Sequence, residues 1–253
     1  MCSVIRPNTT TEQIGRRLAA LGVALLALAA CSSTSSEASD GGPQAPLPTI
    51  GLGSDIGQLS GGADVRAVDA AAVDSIVMIG DSITVGATPA LEEQFAQLGF
   101  TDVTIVAQQD KRIDETFGNN SSGTDIATFL ANDLEGDPKE HLWIVALGTN
   151  DISQYDDVED IVAVVETLLE PIPADAPVIW VNTYFEDRPN DTAEVNAAIE
   201  QVIAARGNAT IGPWNAYAPA DGVLRGDGVH PNSDGAVVFA SVVTSTVANV
   251  LQS

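Results

Sequence analysis

The sequence predicts one α/β domain with three layers, α/β/α, around a five-stranded parallel sheet. Three observations carry that prediction. Short uninterrupted apolar runs recur along the chain after Ala72, "SIVMI", "VTIVA", "LWIVAL", "VIWVN" and "ATI". Such runs mark strands buried on both faces, as in parallel sheets covered by helices. Segments of helical periodicity lie between them, and small polar clusters follow the first and third runs, where an open parallel sheet binds ligands.

In chain order, the first strand spans 75–79 and delivers Gly80-Asp81-Ser82 to a strand-to-helix turn. A second strand covers 103–107 and a third 142–147, the latter followed by Gly148-Thr149-Asn150-Asp151. Val158, Ile161, Val162, Val165, Leu168 and Leu169 repeat at helical spacing before a fourth strand at 178–182. Val195, Ala198, Ile199, Val202 and Ile203 form a second such stripe, ahead of a weaker fifth strand at 209–211. A last helix is expected over 234–251. Short right-handed crossovers then make one domain of residues 73–253.

The residues before it have another character. Arg16 and Arg17 precede "LAALGVALLALAA", too short to span a bilayer comfortably and flanked as a secretory signal is. The run ends in Leu28-Ala29-Ala30-Cys31, and that ending resembles the lipobox of bacterial lipoproteins. The resemblance implies a signal peptide over 1–30, lipidation of Cys31, and a protein held at the outer face of a membrane by that anchor alone. Residues 31–72, rich in Ser, Gly and Asp with Pro43, Pro46 and Pro48, read as a flexible tether. A coil of that length has a mean span on the order of 35 Å. "GLGSDIG" at 51–57 lacks the preceding strand of a dinucleotide loop and is read as part of the tether.

The whole chain carries 10 Lys+Arg against 35 Asp+Glu, a net charge of -25, and loss of residues 1–30 would leave 7 against 34. Nucleic acid is excluded as a partner, and anionic substrates should be disfavoured at low ionic strength. Cys2 and Cys31 are the only cysteines, His141 and His230 the only histidines. No disulfide, redox pair or metal site is expected, and no cofactor is required. A monomer is expected.

Acyl transfer by a serine needs a hydroxyl, a base, a carboxylate to orient the base, and donors for the developing oxyanion. Ser82 offers the hydroxyl, and His230 in "DGVHP" is the histidine in a loop. Asp227 can fold back over three residues to accept from the His230 ring. Asn150 offers a side-chain N–H on the same rim. Asp81 is expected to brace the Ser82 turn and Gly148 the Asn150 turn, while His141 at a strand entrance is structural and Arg225 solvated.

"GDSIT", "GTND" and "DGVHP", in that order, resemble three sequence blocks of the SGNH, or GDSL-like, hydrolase family over about residues 73–253. "WVNTY" followed by "VNAAI" is similar to a subgroup with secreted and acyltransferase-linked members. The resemblance implies a flavodoxin-like fold and a Ser-His-Asp triad of Ser82, His230 and Asp227. It implies an oxyanion hole using the Ser82 amide and Asn150, and short acyl or O-acetyl esters of small alcohols or glycans as substrates. An acyltransferase would use the same residues, and an inactive carbohydrate-binding module could keep the same fold. One block departs: where the family has a glycine after the second strand, this chain reads "AQQDKRIDETFGNNSSG". The donor there is Asp110 or Lys111, or else Gly118 or Gly123 from a longer loop.

Overall fold

The computed structural model describes residues 68–252; the expected signal peptide, Cys31 and most of the expected tether lie outside them. Five strands form one parallel sheet in the order β2-β1-β3-β4-β5: β1 Ser75–Gly80, β2 Asp102–Ala107, β3 His141–Ala146, β4 Val178–Val181 and β5 Ala209–Gly212. The helices are α1 Ser82–Gln97, α2 Gly123–Asp133, α3 Val158–Leu169, α4 Pro189–Arg206 and α5 Ser233–Leu251. The expected fold class and all five strands are present, with ends shifted by one or two residues.

Side-chain alternation explains the uninterrupted apolar runs. In β1, Ile76 and Met78 pack into a cluster with Leu91 and Phe95 of α1 and Phe239, Val243 and Val247 of α5. Val77 and Ile79 point to the other face, among Trp143, Trp180, Val165 of α3 and Ile199 of α4. Because successive strand residues face opposite sides, two cores require apolar residues at every position. The helices α1 and α5 cover one face and α2, α3 and α4 the other, so a carboxyl-end rim is left open for chemistry.

Two details differ from the expectation. Val68 and Ala70 are buried in the first core, and the Asp69 amide donates to Asn208 Oδ1 at 2.7 Å. Residues 68–72, read from the sequence as the end of the tether, thus already pack against the first core. The helix α5 is long and apolar enough to cross a membrane by composition, but half of that stretch is buried within the domain, as befits a core helix.

Candidate active site

β1 ends at Gly80, where an added Cβ would lie 2.1 Å from Thr84 Oγ1, so only glycine lets the strand turn directly into α1. Asp81 caps that helix by accepting from the Ile83 amide at 2.9 Å, as expected for a brace. Ser82 follows as the first helical residue, half-buried on the rim. Burial raises the Asp81 carboxyl to about 6, against the opposing pull of the Ile83 amide, the Thr149 hydroxyl and the His230 charge.

The loop before α5 brings the histidine to the serine across 148 residues of sequence. Ser82 Oγ lies 3.0 Å from His230 Nε2, and His230 Nδ1 lies 3.0 Å from Asp227 Oδ2. The other Asp227 oxygen accepts from the backbone amides of His230 and Val229 at 2.8 and 3.0 Å. Desolvation, the largest single influence, raises the Asp227 carboxyl, but the two amides and the His230 ring together outweigh it and hold it down at about 2. The loop itself is tightly held. Gly228 has φ +68, and an added Cβ would meet Glu186 Cβ at 2.8 Å, while the Gly228 carbonyl accepts from the Glu186 amide. Asn232 caps α5 through Oδ1, and its own amide donates to the Val223 carbonyl at 3.0 Å.

Asn150 sits in a single 3-10 turn, Thr149–Asp151, beyond β3. Gly148 introduces that turn at φ +126, with an added Cβ only 3.2 Å from Val195 Cγ1 of α4. Asn150 Nδ2 donates to the Lys111 carbonyl at 3.0 Å, which uses one of its two amide hydrogens and leaves the other for a ligand. That bond ties the third sequence block to the segment that lacks its glycine.

The four candidates for the missing glycine lie in different surroundings. Asp110 is exposed and holds φ 57, the left-handed region that glycine adopts most readily. Lys111 is buried, its Nζ donating to the Ser121 carbonyl at 2.7 Å and to Gln108 Oε1 at 3.4 Å, so it acts as a brace inside the 108–123 loop. Gly123 is already committed: its amide donates to the Arg112 carbonyl at 2.9 Å. Gly118 is exposed farther along the loop.

Several residues near the site take parts in the structure that the sequence did not assign them. Asp151 is fully buried, and both its oxygens accept from the Ile113 amide at 3.2 Å. Burial raises its carboxyl to about 7 against that amide and the Tyr155 hydroxyl. A cleft of about 450 Å³ opens beside Asn150, bordered by Arg112, Phe117, Phe185 and Arg188. The Asn-containing segments after β4 are joined by a reciprocal pair: Asn196 accepts from the Thr183 amide and donates to the Thr183 carbonyl, both at 2.9 Å. His141, in contrast, lies at the opposite end of the sheet, bonded to Ser75 Oγ and the Glu135 carbonyl.

Residues 78–238 match the model of the GDSL-like lipase/acylhydrolase family. A search of curated proteins finds no match. Among solved structures, a lipolytic protein of the G-D-S-L family from Veillonella parvula is similar with a TM-score of 0.54 and 20% identity, covering 69% of this chain and 98% of that one. The catalytic domain of peptidoglycan O-acetyltransferase A from Streptococcus pneumoniae gives a TM-score of 0.52 and 20% identity, over 71% of this chain and 93% of its own. A carbohydrate acetylesterase family member from Sinorhizobium meliloti gives 0.51 and 15%, over 71% and 100%. Identities this low speak for the shared fold, while the family match spans most of the domain and includes Ser82, Asn150, Asp227 and His230. The chain therefore belongs to the GDSL-like lipase/acylhydrolase family and is a carboxylic ester hydrolase of that type.

Proposed function

We propose that this protein is a serine esterase that removes short acyl groups, O-acetyl above all, from small alcohols or glycans. The observation that carries the reading is the relay from Ser82 Oγ through the His230 ring to Asp227, with both links at 3.0 Å. His230 Nε2 takes the Ser82 proton as Oγ attacks the ester carbonyl carbon, and Asp227 fixes the ring with Nδ1 protonated. The C–O bond to the alcohol then breaks, the alcohol leaves with the proton from Nε2, and the acyl group stays on Ser82. Water, deprotonated by the same nitrogen, releases the acid and restores the serine.

The tetrahedral oxyanion is held by the Ser82 amide, the second hydrogen of Asn150 Nδ2 and the amide of Asp110. The left-handed backbone of Asp110 supports its place in that set. Loss of one such donor costs roughly 3 kcal/mol in transition-state stabilisation. Until water enters, the chemistry is equally that of an acyltransferase such as the structurally similar O-acetyltransferase. The open cleft has room for either acceptor, and product analysis with an added sugar alcohol separates them. The protein is further proposed to be exported and anchored through Cys31; mass spectrometry of the membrane fraction showing an unmodified N-terminus beyond Cys31 would overturn this.

The decisive experiment is hydrolysis of p-nitrophenyl acetate by the purified protein, beside Ser82→Ala and with a fluorophosphonate label read by peptide mass spectrometry. Turnover and a label on Ser82, both lost in the variant, are expected. A labelled parent that turns over equally well without Ser82 would refute the assignment.

A further inference from the structure

The cleft beside Asn150 gathers two of the molecule's few cations. Among the described residues there are six lysines and arginines against thirty aspartates and glutamates, yet two of the six, Arg112 and Arg188, border this one opening. Asp110 is the one carboxylate in its lining. Thr149 and Asn150 line it as well, so it begins at the proposed oxyanion site.

Both guanidinium groups are held in place. Arg112 donates to Gln154 Oε1 at 2.8 Å and to Glu115 Oε2 at 2.7 Å, and its Cζ sits 5.5 Å from the centre of the Phe117 ring. Arg188 donates to Ser153 Oγ at 2.8 Å. Its partner Asp191 is 3.7 Å away, and Ser153 bonds that same carboxylate. Glu115 is 58% exposed, so its pairing with Arg112 is open to competition from water and from a second anion. Each planar guanidinium carries five donors, more than these contacts use, in a fork that matches a carboxylate. Phe117 is 53% exposed and stands with Phe185 at the same opening, giving a flat apolar surface against which a pyranose ring can lie.

From this we infer that the cleft is a subsite for an acidic sugar, with Arg112 and Arg188 binding the carboxylate of an O-acylated uronide while its ester reaches Ser82. The inference rests on the esterase reading and narrows its substrate to a carboxylate-bearing glycan ester. It reverses the expectation from net charge. Glu115 and Asp191 already face the two guanidinium groups, so a substrate carboxylate binds there through the donors they leave free, at contact distance, where pairing is least screened.

The test is a matched set of substrates: an O-acetylated methyl galactoside, the corresponding galacturonide, and the methyl ester of that galacturonide. With the purified full chain, kcat/KM for the galacturonide should exceed that for the galactoside by about tenfold or more, mainly through KM. The neutral methyl ester should behave like the galactoside. The Arg112→Gln/Arg188→Gln variant should bring the ratio near one. Arg188→Gln alone, on an exposed side chain that the fold does not depend on, should lower it severalfold. Salt should lower the ratio in the parent. A parent ratio of one or less, or a ratio unchanged in both variants, overturns the subsite. If p-nitrophenyl acetate is turned over while neither sugar ester is, the subsite is overturned and the esterase stands. If nothing is turned over and Ser82 takes no label, the esterase reading itself falls, and this inference with it.

Discussion

At the scale of single residues, Asp227 is held as a carboxylate by its neighbours. With its pKa at about 2, it is ionised across any working pH, so an acid limb in the rate profile does not come from its protonation. Asp227→Asn should keep the fold and lower kcat by about 10⁴-fold, because the ring loses the partner that fixes its tautomer. Steady-state rates with p-nitrophenyl acetate check this, and a loss under tenfold would remove Asp227 from the relay. Asp151 is the opposite case. Its folded pKa of about 7 lies above the unfolded value of 3.8, so the folded state binds the proton more tightly. Its contribution to stability is complete below pH 4 and is lost as pH rises through 7. Asp151→Asn should therefore gain in Tm relative to the parent between pH 5 and pH 8. A constant Tm difference over that range would contradict the assignment.

These residues also show what a sequence exposes. Ser82, Asn150 and the Asp227–His230 pair stand out because a short local pattern carries each of them just past an apolar strand or just before the final helix. The left-handed backbone of Asp110 became visible only in the structure, since φ 57 leaves no mark in the residue type. The burial of Asp151 against the Ile113 amide and the Arg112–Phe117 edge of the cleft depend on a loop from another part of the chain, so no local spacing announces them.

At the scale of elements, the catalytic loop is fixed by the start of the last helix. An added Cβ at Gly235 would lie 2.0 Å from the Val223 carbonyl, the same carbonyl that accepts from Asn232. Gly235→Ala must push α5 away from residues 223–230, costing about 1–3 kcal/mol of stability. It should also reduce esterase activity beyond what the unfolded fraction explains. Thermal melts and active-site titration at a temperature well below the melt separate the two effects, and full activity per labelled site would show that the loop tolerates the shift. Strands were the legible elements here, because burial on two faces forces apolar residues at every position. The helix α2 was not legible: only Gly123, Ala127 and Leu130 are buried along it, too small a stripe to register as periodic. Its start was marked by Ser122 and Asp125, which form a capping box in the structure.

For the whole molecule, a net charge of -25 opposes compaction through self-repulsion. Raising ionic strength from about 10 mM to about 200 mM, which shortens the screening length from roughly 30 Å to under 10 Å, should raise Tm. A calorimetric series in potassium chloride checks the sign, and a falling Tm would mean that surface ion pairs outweigh repulsion. Among the described residues those pairs are few and exposed, such as Lys139–Asp175 at 3.9 Å.

Among the described residues, the proposed nucleophile Ser82 lies in the first turn of the first helix and the proposed base His230 just ahead of the last one, with α1 and α5 packed side by side through Gln94 and Thr244. During synthesis the serine emerges from the ribosome long before the histidine. A nascent chain lacking the last thirty or so residues has its nucleophile without a base to activate it, and one lacking only α5 has a histidine whose loop is unanchored. The order of the chain thus keeps the two ends of the proposed relay apart until the helix that anchors the histidine loop is in place.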